Sequence, residues 1–312
     1  MASNRTLVVG TRGSPLALTQ TASVIDALRA AHAGLDVRVQ RITTKGDVLR
    51  DVPLATLGGR GVFVDAIEEA LRGKEIDLAV HSAKDLPSRV PPDLAIAAFL
   101  ERTDPRDVLV SRVGSLGELP LGARVGTSSV RRVSALRALR PDLETPDLRG
   151  NVDTRLRKLD AGDYDAIVLA GAGLLRLGLE ARVTEWLSVD AMLPSPGQGA
   201  LAVEVRGDDP EVWDLVQPLA HSPTAIALAA ERGFLARLGA GCSAAVGAYG
   251  TVGADGQVTL RAMIGAPDGR SVTGTESGAG ASAEALGERL ANRLLAAGGR
   301  EIAAEGQRWS VA

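Results

Sequence analysis

One arrangement recurs along this chain and constrains its fold more than any other feature. A short apolar run hands over to glycine, hydroxyl or charged residues, and a helix start follows. Leu7-Val8-Val9 closes on Gly10 and leads into Thr11-Arg12-Gly13-Ser14-Pro15. Ser14 suits a helix N-cap and Pro15 the first helical position. Ile76 to Val80 leads into His81-Ser82-Ala83-Lys84-Asp85-Leu86-Pro87, and Arg124-Val125-Gly126 into Thr127-Ser128-Ser129 with a helix from Val130. Arg149-Gly150-Asn151 precedes another helix start. Short buried strands alternating with helices predict α/β units. Such sheets bind ligands at the carboxyl ends of strands, where helix N-termini favour anions.

Side-chain chemistry gathers at the same handovers. Arg131 and Arg132 occupy the first turn of the helix after Ser129, where cations oppose the helix dipole. An anionic ligand would give them a reason to be there. The His81 to Pro87 run has the densest set of chemically able side chains. It also reads as a solvated turn carrying a Lys84–Asp85 pair. Basic residues are almost all arginine, with lysine only at Lys45, Lys74, Lys84 and Lys158. The guanidinium fork suits carboxylates and phosphates, although a bias across the whole chain would produce the same count.

The chain has 312 residues, too many for one compact domain. Thr103-Asp104-Pro105-Arg106-Asp107 and Pro194-Ser195-Pro196-Gly197-Gln198-Gly199 punctuate it as crossings or hinges. The expected division is an α/β domain from 1–101 and 200–218, a second α/β domain from 102–199, and a C-terminal α+β domain from 219–312. The last combines a helix over Thr224 to Leu238, a three-stranded antiparallel meander and a helix over Ala283 to Ala297. A chain that leaves a domain and returns to it predicts a ligand crevice between the two α/β units. The pattern lapses over Thr43 to Gly61, which points to a lid or binding loop. With 3% aromatic residues, the cores must be aliphatic.

A formal net charge of −3 gives no general attraction to nucleic acid or anionic membrane. No apolar run reaches the roughly 18 residues a bilayer span needs, and no signal peptide is visible. The expectation is a cytoplasmic monomer with neither nucleic acid nor membrane as partner, and no metal site. The single cysteine, Cys242, excludes an internal disulfide. It lies in Gly239-Ala240-Gly241-Cys242-Ser243, among residues small enough to admit close approach. A lone cysteine is ordinarily a small buried hydrophobe unless its reactivity is in use.

Taken in order, Thr11-Arg12-Gly13-Ser14-Pro15-Leu16-Ala17, Lys45-Gly46-Asp47, Val80 to Pro87, Gly126-Thr127-Ser128-Ser129-Val130-Arg131-Arg132, Leu148-Arg149-Gly150-Asn151-Val152 and Pro196-Gly197-Gln198-Gly199-Ala200 resemble the porphobilinogen deaminase (hydroxymethylbilane synthase) family. The resemblance runs from about residue 5 to the final helix. It implies two periplasmic-binding-protein-like α/β domains and an enzyme of tetrapyrrole (haem) biosynthesis. Such an enzyme joins four porphobilinogen molecules head to tail, releasing ammonia at each step, and hydrolyses off hydroxymethylbilane. It also implies a dipyrromethane cofactor held by a thioether on Cys242.

By the same resemblance, Ser82, Lys84, Asp85, Ser129, Arg131 and Arg132 bind that cofactor. Arg12, Ser14, Phe63, Thr127, Ser128, Arg149, Arg155, Arg176 and Gln198 bind substrate. Asp85 is the expected catalytic carboxylate, stabilising the azafulvenium-type cation left when ammonia departs. The chemistry is coherent with these residue types. Each pyrrole unit brings an acetate and a propionate, and bidentate arginine bonds hold carboxylates strongly and selectively. The chain departs from the family pattern at Thr56 and Arg60, where relatives often carry lysine. It departs again at Asp153, and at Ser243-Ala244-Ala245, which lacks the usual proline. The alternative is a solute-binding protein of the periplasmic-binding architecture without chemistry. It would use the Arg–Ser cradle but would leave Asp85 and the thiol unexplained. A regulator's effector domain would need a DNA-binding segment, and none is evident.

Overall fold

A computed structural model describes residues 6–44, 64–239 and 245–309, with side chains to residue 304. Phe63, Cys242, Thr56, Arg60 and most of the 43–61 loop therefore lie outside the described residues, as do Ser243 and Ala244.

Strands in chain order are β1 (Leu7–Arg12), β2 (Val37–Ile42), β3 (Leu78–Ser82), β4 (Leu94–Phe99), β5 (Asp107–Ser111), β6 (Val125–Gly126), β7 (Ala166–Ala170), β8 (Glu185–Trp186) and β9 (Leu201–Arg206). The meander follows as β10 (Ala245–Val252), β11 (Gln257–Gly265) and β12 (Ser271–Ala279). The helices are α1 (Pro15–Ala31), α2 (Asp65–Arg72), α3 (Val130–Leu139), α4 (Val152–Asp160) and α5 (Gly171–Arg176), then α6 (Pro210–Val216), α7 (Ser222–Leu238), α8 (Ala283–Leu294) and α9 (Arg300–Trp309). The chain divides into two compact units, Met1–Thr103 with Ala200–Ala225, and Asp104–Gly199 with Ile226–Ala312.

The first unit is built on a mixed five-stranded sheet in the order β2-β1-β3-β9-β4. β1 runs parallel to β2 and β3, while β9 is antiparallel to β3 and β4. Both faces are covered, which is why these strands read as near-continuous apolar runs. Val9, Leu78, Val80, Val203 and Val205 pack with Val24 and Leu28 of α1 and Val212 of α6. On the other face Ala79 packs with Ile67 and Leu71 of α2. β1 is longer than its apolar run suggests, so Arg12 closes the strand rather than sitting in a loop. β3 starts later than expected and takes in His81 and Ser82.

The second unit contains the four-stranded sheet β6-β7-β5-β8 and, separately, the antiparallel meander β10-β11-β12. In the four-stranded sheet, successive residues of β5 point to opposite faces. Leu109 joins the core of Leu136 and Val168, whereas Val108 and Val110 join that of Leu156, Leu159 and Leu169. The meander has its own core, in which Phe234, Leu260, Ile264, Leu286 and Leu290 are fully buried. This C-terminal part nevertheless groups with residues 104–199, and the reason is contact with α3. Arg137 donates to the Pro267 carbonyl at 3.1 Å, and Val130 packs in a cluster with Leu193, Ala245 and Met263.

α7 ends where the sequence suggests: Gly239 takes a left-handed φ of +86°, as is common just past a helix. The final helix does not run straight on to Ala297. It stops at Leu294, and Gly298, at φ +104°, turns the chain into α9. α7 and α8 touch backbone to backbone at Gly287. A Cβ there would lie 2.0 Å from the Ala230 carbonyl oxygen and 2.6 Å from the Phe234 nitrogen. Gly287→Ala should therefore lower stability. Overpacking of about 1–3 kcal/mol outweighs the roughly 1 kcal/mol that alanine gains over glycine within a helix. Urea unfolding measures the balance, and an unchanged or raised midpoint would show that the helices can move apart freely.

Candidate active site

In the first unit the candidate residues sit on two strand ends. Arg12 is the last residue of β1. Ser14 follows as the N-cap of α1, its hydroxyl accepting the Ala17 N–H at 3.2 Å. Ser82 is the last residue of β3, and Lys84 and Asp85 lie in a single 3₁₀ turn, Ala83–Asp85. That turn is tied down at both ends. The Ala83 N–H donates to the Ala200 carbonyl at 3.0 Å, and Leu86 is only 2% exposed. Lys84 and Asp85 are half-buried on this short, anchored segment.

Immediately before the turn, His81 lies on the sheet face that packs against α2. Its Nε2 is 2.9 Å from Oε2 of Glu204 on β9, and both side chains are buried. Burial pushes the nearby Glu68 carboxyl of α2 up, and the Glu204 charge adds to that rise, against the opposing pull of Arg72. The strand end that delivers Asp85 thus rests on a buried histidine–carboxylate pair.

In the second unit, Thr127, Ser128 and Ser129 connect β6 to α3. Thr127 is buried, and its hydroxyl accepts the Ser129 N–H at 3.2 Å. The Ser128 hydroxyl donates to the Leu148 carbonyl, which joins this turn to the segment before α4. Ser129 is the N-cap residue of α3, but its side chain makes no capping bond. Arg149 lies ahead of α4 and contacts Asp147 at 2.8 Å. Arg155, in the first turn and a half of α4, donates through Nε to the Gly150 carbonyl at 2.7 Å. Asp153 is exposed in the first turn of α4, where a carboxylate suits the helix dipole. Arg176 closes α5 and donates to the Gly199 carbonyl at 2.7 Å.

Arg131 and Arg132, in the first turn of α3, meet a carboxylate that the chain itself supplies. Arg131 Nη1 lies 2.7 Å from Asp107 Oδ2, and Arg132 Nη2 lies 2.8 Å from Asp107 Oδ1. Arg131 also donates to the Leu193 carbonyl at 2.6 Å, and Arg132 to that of Val168 at 2.9 Å. Gln198 belongs to the same centre, its amide donating to Asp107 Oδ1 at 2.9 Å and to the Pro105 carbonyl at 2.7 Å. Asp107 is 0% exposed. It is the residue that reading the sequence missed, because it stands 24 positions before Arg131 and looks like any polar residue opening a strand.

Burial and neighbouring charges shift several groups of the second unit. Burial alone would raise the Asp107 carboxyl, but the charges of Arg131 and Arg132 and their hydrogen bonds hold it well below the usual carboxylate range. Arg155 is pulled down to about 10, first by burial and then by the positive charge of Arg132, with Arg149 adding to the fall and Asp147 opposing it. Burial alone brings Arg176 down to about 10. Guanidiniums depressed by burial and by one another gain most from an incoming carboxylate.

The candidate residues lie at strand ends and helix starts of an α/β protein. A family model described as porphobilinogen deaminase, dipyromethane cofactor binding domain, matches residues 7–214, and the porphobilinogen deaminase C-terminal domain matches 225–296. The porphobilinogen deaminase of Roseiflexus sp. (strain RS-1) is 56% identical over 301 residues, 96% of this chain and 99% of the relative. That of Brevibacillus brevis is 48% identical over 298 residues, 95% of this chain and 96% of the relative. Among solved structures, the Bordetella pertussis BvgS VFT2 domain (a double mutant) aligns with 69% of this chain and 85% of its own, at TM-score 0.41 and 14% identity. The chain belongs to the porphobilinogen deaminase family.

Proposed function

We propose how this chain performs the activity of its family. It is a porphobilinogen deaminase, a transferase of tetrapyrrole biosynthesis, and its substrate is porphobilinogen. The non-enzymatic solute-binding alternative is not favoured, because full-length relatives at this identity are deaminases. In each condensation the aminomethyl C–N bond breaks and ammonia leaves. A new C–C bond forms to the next pyrrole ring, whose carbon gives up a proton.

The observation that carries the residue assignment is the charge state of the second unit. Arg155 is depressed first by burial and then by the charge of Arg132, with Asp147 opposing and Arg149 adding to the fall, so a carboxylate arriving beside it would be stabilised. Such a donor set fits a dipyrromethane, which carries several carboxylates. Ser129, Arg131 and Arg132 would hold that group, with Thr127, Ser128, Arg149, Arg155, Arg176 and Gln198 receiving substrate carboxylates. From the first unit, Ser82 and Lys84 are assigned to the cofactor and Arg12 and Ser14 to substrate. The cofactor supplies the pyrrole end onto which substrate is added. Lys84 is cationic and is assigned to a carboxylate rather than to proton abstraction. Asp85, on its anchored turn, stabilises the positive charge that develops on the pyrrole as ammonia departs, and exchanges protons at the leaving amine. Phe63 and Cys242 keep their assignments from family resemblance, Phe63 beside substrate and Cys242 as thioether anchor.

We read the protein further as a cytoplasmic monomer that acts without nucleic acid or membrane. The net charge of −3 supports the absence of a general nucleic-acid affinity. No helix among the described residues is long and apolar enough to cross a membrane.

Intact mass spectrometry tests the anchor. Protein purified from cells making porphobilinogen should be heavier than the bare chain by two linked pyrrole units, and Cys242→Ala should have the bare mass. A wild-type mass equal to the bare chain, or an adduct that survives in Cys242→Ala, refutes the assignment.

A further inference from the structure

We infer that Asp107 is a positioning residue for the reaction: one fully buried carboxylate sets the direction and net charge of the Arg131–Arg132 pair and anchors Gln198. The inference rests on the reading that these residues receive pyrrole carboxylates. Its own basis is geometric. Asp107 meets Arg131 at 2.7 Å, Arg132 at 2.8 Å and the Gln198 amide at 2.9 Å. Arg132 reaches the same Oδ1 through Nε at 3.2 Å, so it grips the carboxylate with two nitrogens.

Two guanidiniums against one carboxylate leave a single net positive charge at the N-terminus of α3. A fully paired centre would have no attraction left for an anion. An unpaired one would carry two buried charges and no fixed geometry. Asp107 therefore does more than neutralise. It accepts two N–H bonds from Arg132 and holds Arg131 by charge at 2.7 Å, while the Leu193 and Val168 carbonyls each accept a further N–H, from Arg131 and Arg132 respectively. Arginine is rigid and planar at its head, so holding one edge orients the other. Asp107 opens β5, whose neighbours Val108, Leu109 and Val110 are almost fully buried. The carboxylate is thereby mounted on a buried strand rather than on a loop.

The test uses the full chain in three variants: Asp107→Asn, Asp107→Glu and Arg132→Met. Two quantities are read on folded protein, the fraction carrying the two-pyrrole adduct and, for the loaded fraction, KM and kcat separately. Asp107→Asn should lower adduct occupancy and raise KM for porphobilinogen at least about tenfold, the size of one lost charged hydrogen bond, while kcat changes by less than about threefold. Asp107→Glu keeps the charge and the fold but displaces both forks by a methylene, so it should also raise KM, though less. If either Asp107 variant folds, even with lower stability, and keeps wild-type occupancy and KM, the carboxylate is merely structural and the inference fails. Arg132→Met separates the two levels. Should it impair KM and occupancy while the Asp107 variants do not, only the role of Asp107 falls. Should it have no effect, the reading of the arginine site falls too.

Discussion

Asp85→Asn should leave the fold and the adduct mass intact while reducing the rate of ammonia release by about 10²–10³-fold, the range found when one preorganised electrostatic group is removed from an active site. The substitution keeps size and hydrogen-bonding shape and removes only the charge. The turn does not need that charge to hold together. Its anchors are the Ala83 N–H on the Ala200 carbonyl and the buried Leu86 side chain. A carboxylate that acts by stabilising a developing cation should affect kcat more than KM. Circular dichroism and thermal unfolding check the fold, and a single-turnover ammonia assay checks the chemistry. Wild-type ammonia release from a folded Asp85→Asn protein would remove Asp85 from the mechanism.

Acid should destabilise the second unit steeply, and Asp107 should account for much of the slope. The carboxyl is held well below its ordinary value of 3.8 in the folded chain. A depressed carboxyl stabilises the fold at pH values above the unfolded pKa, and that contribution is lost as pH falls through the folded one. The contribution is therefore complete at pH 5 and above and drains away below about pH 4. Its size is that of a broken buried ion pair, about 3–5 kcal/mol, a large part of the 5–15 kcal/mol by which domains are typically stable. Below about pH 4 each pH unit removes at most about 1.4 kcal/mol of it, so denaturant unfolding at successive pH values from 7 to 3 reads the onset of the loss. Asp107→Asn should be less stable at neutral pH and lose less on acidification, so the two curves converge. Parallel curves would show that the acid sensitivity arises elsewhere.

Much of this protein was legible without coordinates, for physical reasons tied to particular residues. Ser14 and Pro15 announce a helix start because a hydroxyl must satisfy an orphan N–H and proline lacks one, and α1 begins there. Gly239 announces a helix end, and α7 stops one residue before it. Runs such as Leu78 to Val80 announce strands buried on both faces. Local chemistry decides these features, and local chemistry is what a sequence displays. The family was legible because its motifs lie in short contiguous segments.

What the sequence could not display is which charges meet. Arg131 and Arg132 looked like cations waiting for a ligand at a helix start. The structure gives them Asp107, from a strand 24 residues earlier. Gln198 looked like part of a hinge, and it reaches the same carboxylate across 91 residues. His81 looked like one of several reactive groups in a turn, and it is buried against Glu204, 123 residues away. By itself the sequence determined the strand ends and helix starts that carry the candidate residues, because caps and periodicity act over a few residues. Only the tertiary structure decided the pairing of buried charges. An ion pair in a low-dielectric interior depends on distances of a few ångström between segments that nothing in the linear order brings together.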